Sequence, residues 1–196
     1  MRSVEEFSVE TLEVGGLVGV LNALRLPFGK EMRSKVFYQF CPQNTKLDDG
    51  TIIDNKFFAY MYRIIPDSRD INLLSTLVKR GDEHAKVLRG VMVWCEINAP
   101  RYWWVEMDTY RVGAERLSSE STMHIEGKGM PEEELVKMKE ELPEGHMQKR
   151  VWMFSYQTLR RIYFQRKDHR LPQWRIFCDW IKTLPFAEEF ITIEKE

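Results

Sequence analysis

Apolar and polar positions along the chain fall into two different periods. Residues 89–97 alternate, with Val91, Val93, Cys95 and Ile97 on one face and Met92, Trp94 and Glu96 on the other, the period of a half-buried strand. Residues 35–40 (KVFYQF) are β-branched and aromatic and predict a second strand. Residues 57–65 (FFAYMYRII) are dense in aromatics, and their periodicity fits a strand or a buried helix equally. Helical spacing dominates elsewhere. Leu73, Leu74, Leu77 and Val78 form a stripe over residues 70–79, with Asp70 placed to cap it and Arg80-Gly81 to close it. Residues 131–142 open on a proline and three glutamates, which suits a helix N-terminus. Residues 147–167 predict a longer helix with Val151, Phe154, Thr158, Leu159 and Ile162 inward. Residues 173–184 predict a last one, with Trp174, Phe177, Cys178 and Ile181 on one side and Pro185 at its end. Core packing is the plain role of that aromatic stripe.

Between these elements the chain is punctuated. Residues 12–26 are apolar but carry Gly15, Gly16 and Gly19, which weaken a helix, and Pro27 and Gly29 break the chain. Residues 44–50 (NTKLDDG) have turn chemistry. Asn98 and Pro100 stand where a helix over residues 101–111 would begin. Residues 113–122 (GAERLSSEST) have too few apolar side chains for core and read as a loop after that helix, a usual place for a site. Gly127, Gly129 and Pro131 form a further break, and residues 169–172 a turn. Strands and helices in this mixture predict an α+β fold with a mixed or antiparallel sheet and long C-terminal helices, in a single domain over residues 1–196.

Composition narrows the class. With 196 residues, 43% apolar, 12% aromatic and a formal net charge of −1, the chain has the make-up of a globular domain rather than a disordered one. No apolar run approaches the roughly 18 residues of a membrane span. Three widely spaced cysteines without a CxxC predict buried reduced thiols, and the acidic start lacks an export signal, so the expected location is the cytoplasm. The balanced charge hides a partition. Residues 131–144 sum to −4 and residues 149–175 to +7. The near-zero total argues against nucleic acid as the partner, while the basic stretch leaves room for a local anion site, with Arg166 at a helix end as its best single candidate.

Standard motifs are missing. The four histidines (84, 124, 146 and 169) lack metal-ligand spacing, and there is no GxGxxG, no P-loop and no GxSxG. What remains is an ordered series: a histidine-bearing turn at Gly81–His84, the strand VMVWCEI, Ala99-Pro100, an aromatic helix, then Arg111 and a serine-rich segment. This series resembles the flavin-dependent thymidylate synthases (the thymidylate synthase complementing family). Their motif R-H-R-x-x-S-x-N-x-x-S-x-R falls without gaps on residues 109–121, where Arg111 and Ser119 are kept. Thr109, Tyr110, Ala114, Arg116 and Ser121 replace the other five motif residues. A second match follows the predicted helix ending at Arg166: Gln173, Trp174 and Ile176 correspond to the family's Gln-Trp-x-Ile, with one extra residue in the preceding turn and with Arg175 and Phe177 at its Glu and final Arg. The resemblance covers residues 81–184. Residues 1–80 are unaligned and 185–196 form a tail.

The resemblance implies that family's fold and chemistry: reductive methylation of dUMP or a related pyrimidine nucleotide with FAD, NADPH and methylenetetrahydrofolate, in a cytoplasmic homo-oligomer, a tetramer in the family. The flavin carries the redox step and the protein positions and neutralises its ligands, so no protein nucleophile is required. His84, Tyr110, Arg111 and Arg116 are the implied cofactor residues. Ser118, Ser119, Arg166, Arg170 and Gln173 are the implied substrate residues, and no metal is implied. The alternative is the same fold with catalysis lost, binding a nucleotide or a protein partner.

Overall fold

A computed structural model describes residues 2–41, 45–46, 52–53 and 59–196. A turn of helix, α1 (Arg2–Glu5), leads into β1 (Ser8–Gly15) and α2 (Leu17–Arg25). β2 (Lys35–Cys41), β3 (Thr45–Lys46), β4 (Ile52–Ile53) and β5 (Ala59–Ile65) form two antiparallel pairs, β2 with β5 and β3 with β4. α3 (Ser68–Arg80), β6 (Met92–Pro100), α4 (Arg101–Met107), β7 (Ala114–Ser119) and α5 (Glu132–Glu141) follow. The chain closes with β8 (Met147–Ser155), α6 (Tyr156–Arg166), α7 (Pro172–Lys182) and α8 (Ala187–Phe190). The main sheet is antiparallel, in the order β1-β6-β8-β7. The fold is therefore α+β.

The alternation in β6 is realised as expected: Val93, Cys95 and Ile97 are buried, and Phe154 and Trp152 of β8 lie directly across from Val93 and Cys95 on the same face. Trp103 and Trp104 of α4 and Trp174, Phe177 and Ile181 of α7 complete the core. Trp103 meets Trp174 at 4.6 Å between ring centroids. The predicted strand at 35–40 and the strand reading of residues 59–65 hold in the backbone. Of the turn predicted at 44–50, Asn44 and residues 47–50 lie outside the described residues, and Thr45–Lys46 pair with Ile52–Ile53.

Four expectations are corrected. Asp67, not Asp70, caps α3: its side chain accepts from the Arg69 backbone N–H, whereas Asp70 is buried one turn further on. Asn98 does not cap α4; its amide donates to the Glu6 carbonyl at 3.0 Å, and Pro100 takes the N-cap position. Residues 113–122 are not simply a loop, because Ala114–Ser119 form edge strand β7. Only Ala114 of β7 is buried, so the strand carries no apolar alternation to betray it. Residues 147–167 are not one helix: the first nine make strand β8, and α6 begins where Ser155 accepts from the Thr158 N–H at 3.2 Å. No helix among the described residues is long and apolar enough to cross a membrane.

Candidate functional site

The C-terminal end of α4 and strands β7 and β8 bring charged side chains to the buried face of the sheet. Ile97, Arg150 and Ser119 form one cross-strand row, and Cys95, Trp152 and Arg116 the next. The bulge at Leu117 sets this register: it puts Ser119 beside Arg150 and sends Ser118 to the opposite face with Val151.

Three cavities adjoin this region. The first, about 320 Å³, is lined by Arg101 and Asp108 around α4, Lys139 of α5, His146, and Gln148 and Arg150 of β8. Arg150 Nε and Nη2 donate to Gln148 Oε1 at 3.1 and 3.0 Å, and Nη1 reaches both Asp108 oxygens at 3.3 and 3.2 Å. Its guanidinium lies 4.4 Å from the Trp104 ring, whose indole N–H donates to the Ala99 and Gln148 carbonyls. Desolvation draws the Arg150 pKa below the ordinary arginine value, against the opposing pull of Asp108. Lys139 donates to Thr122 Oγ1, Arg101 Nη1 to the Leu142 carbonyl at 3.1 Å, and His146 Nε2 lies 3.1 Å from Glu126. Arg101, Lys139, His146 and Arg150 escaped the sequence reading, because three of them come from segments read as solvated or helical.

The second cavity, about 410 Å³, shares Asp108 with the first and is lined by Tyr110, Arg111, Arg116 and Trp152. Arg116 and Arg111 are exposed; Arg116 Nη1 lies 3.9 Å from Asp108 and Arg111 Nε donates to the Asp108 carbonyl. The buried Trp152 indole N–H has no partner among the described residues. The third cavity, about 450 Å³, lies where the turn after α3 meets α6 and the C-terminal tail: Asp82, Arg160, Arg161, Phe164, Gln165 and Lys195 line it. Tyr110 OH donates to Gln165 Oε1 at 3.0 Å, and Arg161 Nη2 to the Val112 carbonyl at 3.4 Å. Segment 108–116 therefore lines the first two cavities and hydrogen-bonds to two residues that line the third. Arg160 is buried, donates to the Ile191 and Ile193 carbonyls, and has its pKa lowered by desolvation.

The remaining sequence-derived residues are scattered. Arg166 is tied inward: Nη1 donates to Glu106 Oε2 at 2.7 Å and lies 2.8 Å from His169 Nε2, while Nε donates to Tyr110 OH at 2.8 Å. Its guanidinium sits 4.5 Å from the Trp174 ring, whose N–H also reaches Glu106. Gln173 is buried and donates to Tyr102 OH at 2.6 Å. Arg170 is exposed, and His84 points its ring toward Glu83 at 3.7 Å while Asp82 of the same turn lines the third cavity. Within the basic stretch 149–175, Lys149, Arg150, Arg166 and Lys167 pair with Glu96, Asp108, Glu106 and Glu194 respectively. Among the described residues no group of three or more His, Cys, Asp or Glu side chains could hold a metal.

No protein-family model and no curated protein sequence matches the chain. Solved structures do. The flavin-dependent thymidylate synthase ThyX of Helicobacter pylori, complexed with FAD and dUMP, superposes with a TM-score of 0.61 at 13% identity, over 94% of this chain and 97% of that one. The chain has the fold of the flavin-dependent thymidylate synthases. The UMP/dUMP methylase PolB of Streptomyces cacaoi, bound to 5-Br dUMP, shares the thymidylate synthase-like fold, with a TM-score of 0.59 at 12% identity, over 95% of this chain and 94% of that one. The superposition covers more of the chain than residues 81–184, to which the sequence resemblance is confined.

Proposed function

We propose that this protein binds a pyrimidine nucleoside monophosphate and methylates its base, with FAD as cofactor and methylenetetrahydrofolate and NADPH as co-substrates. The observation that carries the reading is that segment 108–116, the segment in register with the family's motif, lines two adjoining cavities and hydrogen-bonds to the lining of a third. The first cavity suits the nucleotide phosphate, since it gathers three cations: Lys139 on a neutral acceptor, and Arg101 and Arg150, which keep backbone or amide acceptors beside their longer contacts to Glu144 and Asp108. Its neighbours suit a flat, anionic cofactor: exposed Arg111 and Arg116 and the Trp152 N–H, unpartnered among the described residues, at the second, and Arg161 and Phe164 on the lining of the third. FAD held there would supply the hydride transfer, while the protein's groups bind phosphates, exclude water and fix the pyrimidine. Ser119, in Arg150's row, is placed to hydrogen-bond the nucleotide.

One observation favours a second reading, a nucleotide-binding homologue without catalysis: Tyr110 and Arg166 spend their polar atoms on each other and on Gln165 and Glu106. The deciding experiment is a visible absorption spectrum of the purified protein with and without added FAD, paired with calorimetric titration of dUMP. Flavin absorbance together with dUMP binding is the expected result. A colourless protein that takes up no FAD at tens of micromolar but binds dUMP would establish the second reading. A protein that binds neither would overturn both.

A further inference from the structure

We propose that Asp108 is a specificity-determining residue of the first cavity: a built-in counter-ion for Arg150 that a phosphate monoester displaces toward Arg116, and that a carboxylate ligand cannot. The identity of the phosphate's organic part rests on the nucleotide reading above; the role of Asp108 does not.

Arg150 is oriented without Asp108. Two of its nitrogens donate to Gln148 Oε1, and Trp104 lies under its plane. Gln148 is itself fixed, its amide donating to the Glu120 carbonyl at 2.6 Å. Nη1 is what remains, and it meets both Asp108 oxygens at 3.2 and 3.3 Å, longer than the roughly 2.7–2.9 Å of a good charge-assisted hydrogen bond. The contact neutralises Arg150 more than it positions it.

Asp108 also has somewhere to go. Its side chain is 38% exposed, and it stands between two cavities with Arg116 Nη1 at 3.9 Å on the far side. A phosphate monoester carries about −1.5 to −2 charges at neutral pH and three acceptor oxygens, so on Arg150 it gains more than the single carboxylate it displaces. A carboxylate ligand exchanges one such group for another and must also compete with a tethered one. The cavity therefore rejects carboxylates and accepts phosphates, and its occupation strengthens the Asp108–Arg116 pair in the neighbouring cavity. Glu144 serves as a control: it shares the first cavity and lies 3.7 Å from Arg101, but it is no partner of Arg150.

The test is calorimetric titration of inorganic phosphate, acetate and dUMP into the full chain as wild type, Asp108→Asn and Glu144→Gln. Asparagine keeps the shape of the side chain, and Asp108→Ser serves as a second carboxylate-free variant should it misfold. Asp108→Asn is expected to bind phosphate about fivefold more tightly, the upper range for a half-exposed ion pair, and to admit acetate as a competitor that the wild type refuses. Glu144→Gln should change phosphate binding less than twofold. Phosphate binding that is unchanged or weaker in Asp108→Asn, an equal gain in Glu144→Gln, or no phosphate binding in the wild type would each overturn the proposal. If the phosphate pattern appears while dUMP binds to none of the three proteins, the nucleotide reading fails and the role of Asp108 stands.

Discussion

At the scale of single residues, charge in this protein is mostly spent on holding the chain together, and the exceptions mark the site. Asp70 belongs to the first kind. It is fully buried and accepts from the Ser34 N–H and hydroxyl, both at 2.7 Å, from the Arg33 N–H at 2.8 Å and from Arg25 Nε at 2.8 Å. Burial alone would raise its pKa, but these hydrogen bonds outweigh burial and hold the carboxyl below its ordinary value. A depressed carboxyl contributes its full stability above the unfolded-state value near 3.8 and loses it as the pH falls through the lower folded value. Replacing Asp70 by Asn should cost about 3 kcal/mol, the low end for a buried pair, because the partly buried Arg25 is left uncompensated, and should flatten the acid limb of a stability–pH curve measured by urea denaturation. Asp70 also shows what sequence alone conveys at this scale. An aspartate ahead of an amphipathic stripe signals a helix start correctly, but Asp67 fits the same rule, and only the positions of Arg25 and Ser34 in space decide which one caps. Arg166 teaches the converse. Its place at a helix end made it a natural anion ligand, yet Glu106, on an element sixty residues earlier, claims it.

At the scale of elements, patterns were legible wherever one face is buried and the other is wet. β6, α3 and α7 follow their alternation or stripe closely. β8 and α6 were not separable in that way, because Phe154, Thr158, Leu159 and Ile162 keep helical spacing across the junction. Trp152, which that helix leaves off its inner face, is buried and is the residue that betrays a strand. Ser155 marks the junction, and its hydroxyl and that of Thr158 form a small polar knot 3.0 Å apart, from which Thr158 Oγ1 reaches the Val112 carbonyl at 2.7 Å. Gly113 closes the knot. Its φ of +70° lies in the left-handed region, and an added Cβ would stand 2.6 Å from Thr158 Oγ1 and 2.7 Å from Ser155 Oγ. Gly113→Ala should therefore destabilise the protein by about 1–3 kcal/mol, read in a denaturant melt, and should displace β7 together with Arg116. A parallel Gly129→Ala change meets nothing within 4 Å at a φ of +80° and should cost only the backbone strain.

At the scale of the whole molecule, the elements around the candidate site expose apolar side chains among their charged ones. Val105 on α4, Leu117 on β7, Met123 and Ile125 in the segment after it, and Val136 on α5 are at least half exposed, and α5 buries none of its residues. Scattered apolar side chains are ordinary, but five of them on the elements around one cavity support a second copy of the chain as their cover. Light scattering coupled to size exclusion should then report an oligomer, and Leu117→Lys should shift it toward monomer. A monomeric wild type at tens of micromolar would refute the expected homo-oligomer. The arrangement of the main sheet bears on something else, the order in which the molecule is built. Ser8 pairs with Asn98 and Gly15 with Met92, so β1 waits for a partner that is synthesised long after it, with the β2–β5 hairpin and α3 in between. β6 and β8 lie nearer in sequence and share a longer register. Because distant pairings carry the larger loop-closure cost, the sheet should assemble from β7, β8 and β6, with β1 added last and released first. In hydrogen exchange under native conditions the amides of β1 should therefore open at lower free energy than those of β6 facing β8. Until β1 docks, the newly made chain carries that strand unpaired, and for that interval the edge of β6 is open to the wrong partner.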